Sequence, residues 1–201
     1  MRDSAVLDAI TSRRSIRRYL PEPIPQVVIE TVLTAAIWAA SSHNRQPWRF
    51  CVIRDADQKE RLARAMGDRL RRDLEADGVL ESVIAADTGR SYNRITSAPV
   101  LIALCLSLVD MDRYPDERRN EKEYLMAVQS TAMAGQNLLL AAHDQGLGAC
   151  WMCAPLFCPD VVSAALDLPS DWQPQALITM GYPAESREKT RHVLEAGVVW
   201  R

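Results

Sequence analysis

Residues 121–144 constrain the fold of this chain more than any other segment. They have the length of a long helix closed by Gly146, and the run from Tyr124 to Ala142 is apolar almost all round, interrupted mainly by three amide side chains. A helix without a polar face needs cover on every side, which a chain of 201 residues can hardly supply alone. We therefore predict that this helix lies at a subunit interface. The apolar tail that ends at Trp200 is expected to dock as well, on a partner subunit.

Helical and strand patterns alternate along the rest of the chain, and no repeat is visible. Apolar periodicity and Pro or Ser start signals predict the helices, whereas short apolar runs predict the strands. The predicted helices cover 4–13, 25–38, 56–76 and 121–144, and a further one begins at 159; the predicted strands cover 48–53, 99–107, 149–152 and 175–180. Residues 79–97 carry no clear pattern. We expect an α+β class with one sheet covered by helices, and a single domain over residues 1–201.

Charge and cysteine usage exclude several classes of protein. The net charge of −2 and the pI of about 5.9 provide no general basic field for nucleic acid or for acidic membranes. The longest apolar stretch, from Ala98 to Val109, is shorter than the roughly 20 residues that span a bilayer. Five cysteines, some within apolar runs, indicate a reducing, cytoplasmic protein without structural disulfides.

The cations concentrate in the first half of the chain. Residues 1–100 carry 16 Lys and Arg against 13 Asp and Glu, whereas residues 101–201 carry 8 against 13. The segment Arg13-Arg14-Ser15-Ile16-Arg17-Arg18 is the densest part. It could hold a phosphate through charge-assisted hydrogen bonds, or it could be a solvated helix end whose cations suit the helix dipole. Spacing alone favours the second interpretation.

Two further polar clusters follow. Residues 40–48, Ala-Ser-Ser-His-Asn-Arg-Gln-Pro-Trp, could read the edge of a heterocycle with their amides and hydroxyls, or form an ordinary polar loop. Residues 189–192, Lys-Thr-Arg-His, could be a second phosphate clamp or solvated surface. Each of these signals is weak when taken alone.

Taken in order, these motifs resemble the FMN-dependent nitroreductase family. The arginine pair followed by Ser-Ile-Arg at 13–17 looks like the family's opening motif, and Ser-Ser-x-Asn-x-Gln-Pro-Trp at 41–48 looks like its second. The segment 146–151 and Lys189-x-Arg191 complete the pattern, which covers essentially the whole chain. Residues 146–183 are especially similar to the flavin domain fused to the glutamyl ligases that build the deazaflavin coenzyme.

The resemblance implies a nitroreductase-like three-layer α/β/α sandwich with a mostly antiparallel central sheet. It also implies an intertwined homodimer with two FMN molecules at the interface, each touched by both subunits. This agrees with the apolar helix and tail described above.

The resemblance further implies a set of FMN-binding residues. One subunit would contribute a group from its first motif: Arg13, Arg14, Ser15 and Arg17. Arg13 would clamp the phosphate together with Lys189 and Arg191, and Arg17 would face the pyrimidine edge. The other subunit would contribute the second motif: Ser41, Ser42, Asn44 and Gln46. The backbone around Cys153 and Ala154 would pass nitrogen 5 of the flavin. No catalytic side chain and no metal are expected, because the flavin carries the chemistry.

Some residues depart from the family pattern. Ala40 stands where Pro is usual, and Ala154 stands where Gly is common. Cys150-x-x-Cys153 replaces small or acidic residues. These cysteines could be packing residues, a reactive thiol near flavin or half of a metal site; we favour packing, because a second ligand pair and a thioredoxin-like context are both missing.

The predicted activity is hydride transfer from NADH or NADPH, through FMN, to a small-molecule electron acceptor: a nitroaromatic, quinone or activated alkene. A Gly-x-Gly-x-x-Gly motif after a strand is missing, so a separate nicotinamide domain is not expected. Reduction of a deazaflavin-type intermediate is one alternative, and a flavin-binding protein without turnover is another. A nucleic-acid module is disfavoured by the pI and by the lack of aromatics among the arginines.

Overall fold

The computed structural model describes residues 4–201, and its centre is a four-stranded antiparallel sheet. The strands are β1 (Trp48–Ile53), β2 (Val100–Leu106), β3 (Gly148–Met152) and β4 (Gln173–Gly181). Their order across the sheet is β1-β2-β4-β3, with Phe50 opposite Leu104 and Ile102 opposite Ile178. All four predicted strands are confirmed, and β1 has the predicted bounds.

Six α-helices surround the sheet within the described residues. They are α1 (Ala5–Ser12), α2 (Gln26–Ile37), α3 (Ala56–Ala76), α4 (Glu81–Thr96), α5 (Glu117–Asp144) and α6 (Pro159–Ala165). Ser4 caps α1 through its hydroxyl, which accepts from the Leu7 N–H at 3.4 Å. Pro25 is the N-cap of α2 rather than its first helical residue. The predicted helix over 56–76 is confirmed at both ends.

Two segments differ from the sequence prediction. The stretch 79–97, which carries no clear pattern, contains the 16-residue helix α4. Helix α5 begins at Glu117, four residues before the predicted start, because the Asp116 carboxylate accepts from the Arg119 N–H at 3.0 Å and caps the helix. The charged residues 117–119 therefore belong to the first turn of the helix.

The sheet is covered by helices on both faces, as a three-layer sandwich requires. On one face, alternate residues of β2 such as Ile102 and Leu104 pack with Val32 of α2 and Leu138 of α5. On the other face, the intervening residues pack against α3, α4 and α6, as Leu101 does. Strand β2 is consequently buried along its whole length, as its continuous apolar run requires.

The segment after α1 is fixed across the edge of the sheet at β3. The Ile16 N–H donates to the Ala149 carbonyl at 3.1 Å, and Ser15 forms a parallel bridge with Ala149. The backbones approach closely because residue 148 is glycine: a Cβ there would lie 2.7 Å from the Cβ of Ile16. The Tyr19 hydroxyl adds a bond to the Thr179 side chain at 2.7 Å. These contacts position the first arginine motif.

Part of α5 and the C-terminal tail remain exposed in the single chain. Leu125 and Met133 of α5 are 49% and 42% exposed, and Trp200 is 84% exposed. Helix α5 therefore shows the uncovered apolar face that the sequence predicts. No helix within residues 4–201 is long and apolar enough to cross a membrane.

Candidate functional site

Arg13 and Arg14 of the first motif line a cavity of about 290 Å³ that reaches the C-terminal end of α5 and residues 185–187. Arg14 donates through one terminal nitrogen to the carbonyls of Thr11 at 2.6 Å and Arg13 at 2.8 Å. Its Nε is buried and has no hydrogen-bond partner among residues 4–201. Burial and the neighbouring charges of Arg191 and Arg14 hold the pKa of Arg13 below its usual value. The crowded guanidinium groups and the buried, unpartnered Nε–H of Arg14 together form a set of donors that fits a phosphate.

A carboxylate that the sequence analysis did not single out helps to hold this motif in place. Glu185 accepts from the Arg17 N–H at 2.7 Å and from two nitrogens of Arg187 at 2.9 and 3.0 Å. The bond to Arg187 and the backbone donors together lower the pKa of Glu185 to about 2. Its link to Arg17 joins positions 168 residues apart, so no local sequence signal could have revealed it.

A second cavity, of about 350 Å³, brings Arg17 together with the end of β3. Cys153 and Ala154, the residues expected near nitrogen 5 of the flavin, both line it. Ala154 opens the 3-10 turn Ala154–Phe157, where the first N–H groups have no acceptor within the turn. The cavity therefore brings the Arg17 cation and the start of this turn to one place.

The second predicted motif forms an unusual loop against the middle of α5. His43, Asn44 and Gln46 all have positive φ, between 49° and 55°, which side chains other than glycine adopt only at a cost. The Ser41 hydroxyl accepts from the Gln46 N–H at 3.1 Å. The loop is thus held in one shape by internal bonds, with Asn44 and Gln46 exposed.

The two motifs are not brought together within one chain. Ser42 donates from its N–H to the Ser130 hydroxyl at 3.2 Å, whereas Ser12, next to the first motif, bonds to His143 Nε2 at 2.8 Å. These two positions on α5 are 13 residues apart, or about 20 Å along the helix axis. Ser41, Ser42, Asn44 and Gln46 therefore do not share a site with Arg13 of their own chain.

The C-terminal cations are exposed in the structure. Arg191 lies close enough to Arg13 to lower its pKa, and its own guanidinium donates to the Thr190 carbonyl at 3.1 Å. Lys189 makes no hydrogen bond or ion pair within residues 4–201. The structure therefore brings Arg191 to the first motif, and the side chain of Lys189 is exposed.

The cysteines do not form a metal centre or a disulfide in the described part of the chain. All five are free thiols, with Cys150 buried and Cys153 exposed. Burial raises the pKa of the Cys150 thiol, against the opposing effect of Arg17 and other arginines. Across residues 4–201, no group of three or more His, Cys, Asp and Glu could hold a metal ion.

Comparison with known proteins gives consistent matches over nearly the full chain. The model of the Nitroreductase family matches residues 10–182. A Thermus thermophilus protein named NADH dehydrogenase is 32% identical over 98% of this chain and 97% of that protein. The 5,6-dimethylbenzimidazole synthase of Rhodospirillum rubrum is 30% identical over 89% of this chain and 82% of its own length. A Desulfovibrio desulfuricans protein crystallised with FMN is 30% identical, has a TM-score of 0.77 and covers 99% of this chain and 98% of its own. By its family match, its fold and the motifs at 13–17 and 41–48, this chain belongs to the nitroreductase family.

Proposed function

We propose that the protein is an FMN-dependent oxidoreductase that moves hydride from NADH or NADPH to a nitroaromatic, quinone or activated alkene. The observation that carries the proposal is the cavity that joins Arg17 to Cys153 and Ala154, next to the crowded cations of Arg13 and Arg14. Family membership and the names of the relatives support the same class of reaction. Residues 1–201 would act as one FMN-binding unit.

The residues of the first motif would hold the two ends of FMN. Arg13, Arg14 and Arg191 would bind the phosphate, since their charges crowd one another without it. We extend this role to Lys189, whose exposed side chain would close over the phosphate when FMN binds. Ser15, beside β3, would support the flavin from the same segment.

Arg17 and the turn after β3 would act on the reactive ring. When bound, FMN supplies the hydride transfer, and its reduced ring carries negative charge near the pyrimidine edge. A guanidinium at that edge stabilises the charge and favours reduction. The Ala154 N–H would donate to nitrogen 5 and fix the orientation of the ring. Ala154 lines the cavity with a Cβ in place of the more common glycine.

A homodimer would complete the site. Ser41, Ser42, Asn44 and Gln46 lie about 20 Å along α5 from the first motif of their own chain. They would reach the FMN held by the partner subunit, and the exposed face of α5 would be covered by the same contact. The five free thiols support a reducing, cytoplasmic location.

The absorption spectrum of the purified, desalted protein tests this function. We expect a flavin spectrum near one FMN per chain, bleached under anaerobic conditions by NADH or NADPH, and restored by a nitroaromatic or quinone. Flavin that stays oxidised with both nucleotides would contradict the NAD(P)H oxidoreductase and favour storage of the cofactor. A protein that binds no flavin even with excess FMN would contradict the proposed function as a whole.

A further inference from the structure

We propose that Arg94 of α4 binds a phosphate or carboxylate group of the molecule that exchanges hydride with the flavin. The inference rests on the proposed function and deepens it, since it names an anionic class of substrate. The anion belongs either to the nicotinamide nucleotide or to the electron acceptor, and the experiment below distinguishes the two sources.

Arg94 faces two neighbouring cavities with a strong excess of positive charge. The cavities, of about 630 and 350 Å³, share Arg17, Arg90 and Arg94. Arg18 and Arg187 also line the larger one. Among the described residues that line them, Asp87 is the single carboxylate against five arginines. An anionic ligand would relieve this imbalance.

Pairing and burial together single out Arg94, since Arg18 also lacks an ion pair within residues 4–201 but is exposed. Arg90 forms an ion pair with Asp87, and Arg187 forms one with Glu185. Arg94 has no hydrogen bond or ion pair with any residue of the range 4–201. Its side chain is half-buried, and burial together with the charges of Arg17 and Arg90 holds its pKa below the usual value. A half-buried guanidinium among like charges is costly without an anion and is suited to bidentate binding of one.

The position of Arg94 relates the anion to the reacting end of its molecule. Arg94 lines the same cavity as Cys153 and Ala154, the residues proposed to lie beside nitrogen 5 of the flavin. Helix α4 holds it there, because the adjacent Ile95 is fully buried in the core. The N–H of the C-cap residue Ser97 donates to the Asn93 carbonyl and completes the end of the helix. A ligand anchored on Arg94 would therefore extend into the space over the flavin. Arg17 is already assigned to the flavin, which leaves Arg94 for the second molecule.

Half-reactions of the FMN-loaded protein test the proposal and identify the source of the anion. Anaerobic reduction by NADH and by NADPH gives the affinity for each nucleotide. Reoxidation by 4-nitrobenzoate and by the neutral 4-nitrobenzyl alcohol gives the affinity for each acceptor. Arg94→Ala should weaken the binding of either the nucleotide or 4-nitrobenzoate by about 10- to 100-fold, relative to the binding of 4-nitrobenzyl alcohol. Arg94→Lys should restore part of the affinity.

Arg72→Ala is the matched control, because Arg72 is an exposed arginine of α3 that lines neither cavity. A nucleotide effect assigns the anion to the electron donor, and a 4-nitrobenzoate effect assigns it to the acceptor. The proposal is overturned if Arg94→Ala changes neither the nucleotide affinity nor the 4-nitrobenzoate affinity relative to that for 4-nitrobenzyl alcohol. It is also overturned if Arg94→Ala weakens the binding of FMN itself.

A binding measurement separates failure of this inference from failure of the proposed function. Calorimetric titration of the FMN-saturated protein with pyrophosphate and with 4-nitrobenzoate needs no turnover. Weaker binding of either probe to Arg94→Ala, with Arg72→Ala unchanged, supports the anion site even if neither nucleotide reduces the flavin. Equal binding by the wild type and Arg94→Ala overturns it even if the enzyme is active.

Discussion

Arg13 is the residue whose removal should affect FMN most directly. Its guanidinium shares a cavity with Arg14 and is close to Arg191. Arg13→Ala would lose a charge-assisted phosphate contact worth roughly 1.5–3 kcal/mol. Its affinity for FMN should therefore fall by about 10- to 150-fold. Quenching of FMN fluorescence on titration measures the affinity, with Arg72→Ala as the control. Unchanged affinity would remove Arg13 from the site.

Glu185 should make the stability of the first motif depend on pH. Its pKa is lowered from 4.5 to about 2 by Arg187 and by backbone donors that include Arg17. Because the folded pKa is depressed, the stabilisation is fully present above pH 4.5 and is lost as the pH falls towards 2. Glu185→Gln should lower the free energy of unfolding at pH 7 by an amount of the order of 2 kcal/mol, after allowance for solvent.

Urea unfolding of wild type and Glu185→Gln between pH 7 and pH 3 measures this difference. The gap between the two proteins should be constant down to about pH 4.5 and should shrink below it. Glu188→Gln, which changes an exposed carboxylate three residues away, is the control. A gap that persists unchanged at pH 3 would contradict the ionic role of Glu185.

The sequence proposes those candidate site residues that belong to motifs, and misses candidates that depend on tertiary contact. Arg13, Arg14 and Arg17 stand in one short segment, so a resemblance could propose them as cofactor-binding residues. Glu185 acts through a bond to a backbone 168 residues earlier. Its carboxylate looks like any surface acid in the sequence. Arg94 is likewise distinguished only by the charges that folding places around it.

At the scale of elements, the predictions succeed where periodicity is strong and fail where polar residues begin a helix. The apolar positions of α3, including Leu62 and Met66, are buried as their spacing requires. The first turn of α5, by contrast, is entirely polar, and only the cap at Asp116 shows that it is helical. Helix α4 is obscured in the sequence by Gly89. An added Cβ at this position would meet no described atom within 4 Å, so packing does not require glycine there.

The junction between the first motif and β3 depends on Gly148. An added Cβ would meet the Cβ of Ile16 at 2.7 Å, and that atom cannot move without its backbone. Gly148→Ala should therefore displace the arginine segment, destabilise the fold by about 1–3 kcal/mol and lower the affinity for FMN. Thermal unfolding and FMN titration measure the two effects.

Gly67→Ala provides the matched control for this prediction. Gly67 lies within α3, and an added Cβ there would meet no atom within 4 Å. The same substitution should raise the stability by about 0.5–1 kcal/mol through helix propensity, without any effect on FMN. If Gly148→Ala behaves like Gly67→Ala, the close approach of Ile16 to β3 is wrong.

At the scale of the whole molecule, the proposed homodimer would account for both the exposed face of α5 and the separation of the two motifs. The exposed residues recur at helical spacing on one side of α5: Leu125, Gln129, Ala132, Met133 and Gln136. The loop with Ser42 packs beside the same helix. A partner chain that covers this face would also bring its own loop towards the arginine motif. The sequence predicts the need for cover, but not which residues need it, because that depends on the packing of α2 and the sheet.

Met133→Lys tests this arrangement by placing a charge in the centre of the exposed face. A lysine there is harmless to an isolated chain, since Met133 is 42% exposed. In a dimer it would bury an unpaired charge at a cost of about 3–5 kcal/mol, which corresponds to a loss of at least 100-fold in dimer affinity. Light scattering should therefore show monomers. The helical circular dichroism signal should be unchanged.

The same variant should lose FMN although every residue of the arginine motif is intact, because Ser41, Ser42, Asn44 and Gln46 would no longer arrive from the partner. Val83→Lys is the control, since Val83 of α4 has a comparable exposure of 44%. It should keep both the dimer and the flavin. A Met133→Lys protein that remains dimeric would place the interface on another surface. A monomer that retains FMN at wild-type affinity would show that one chain holds the cofactor alone, and would remove the second motif from the site.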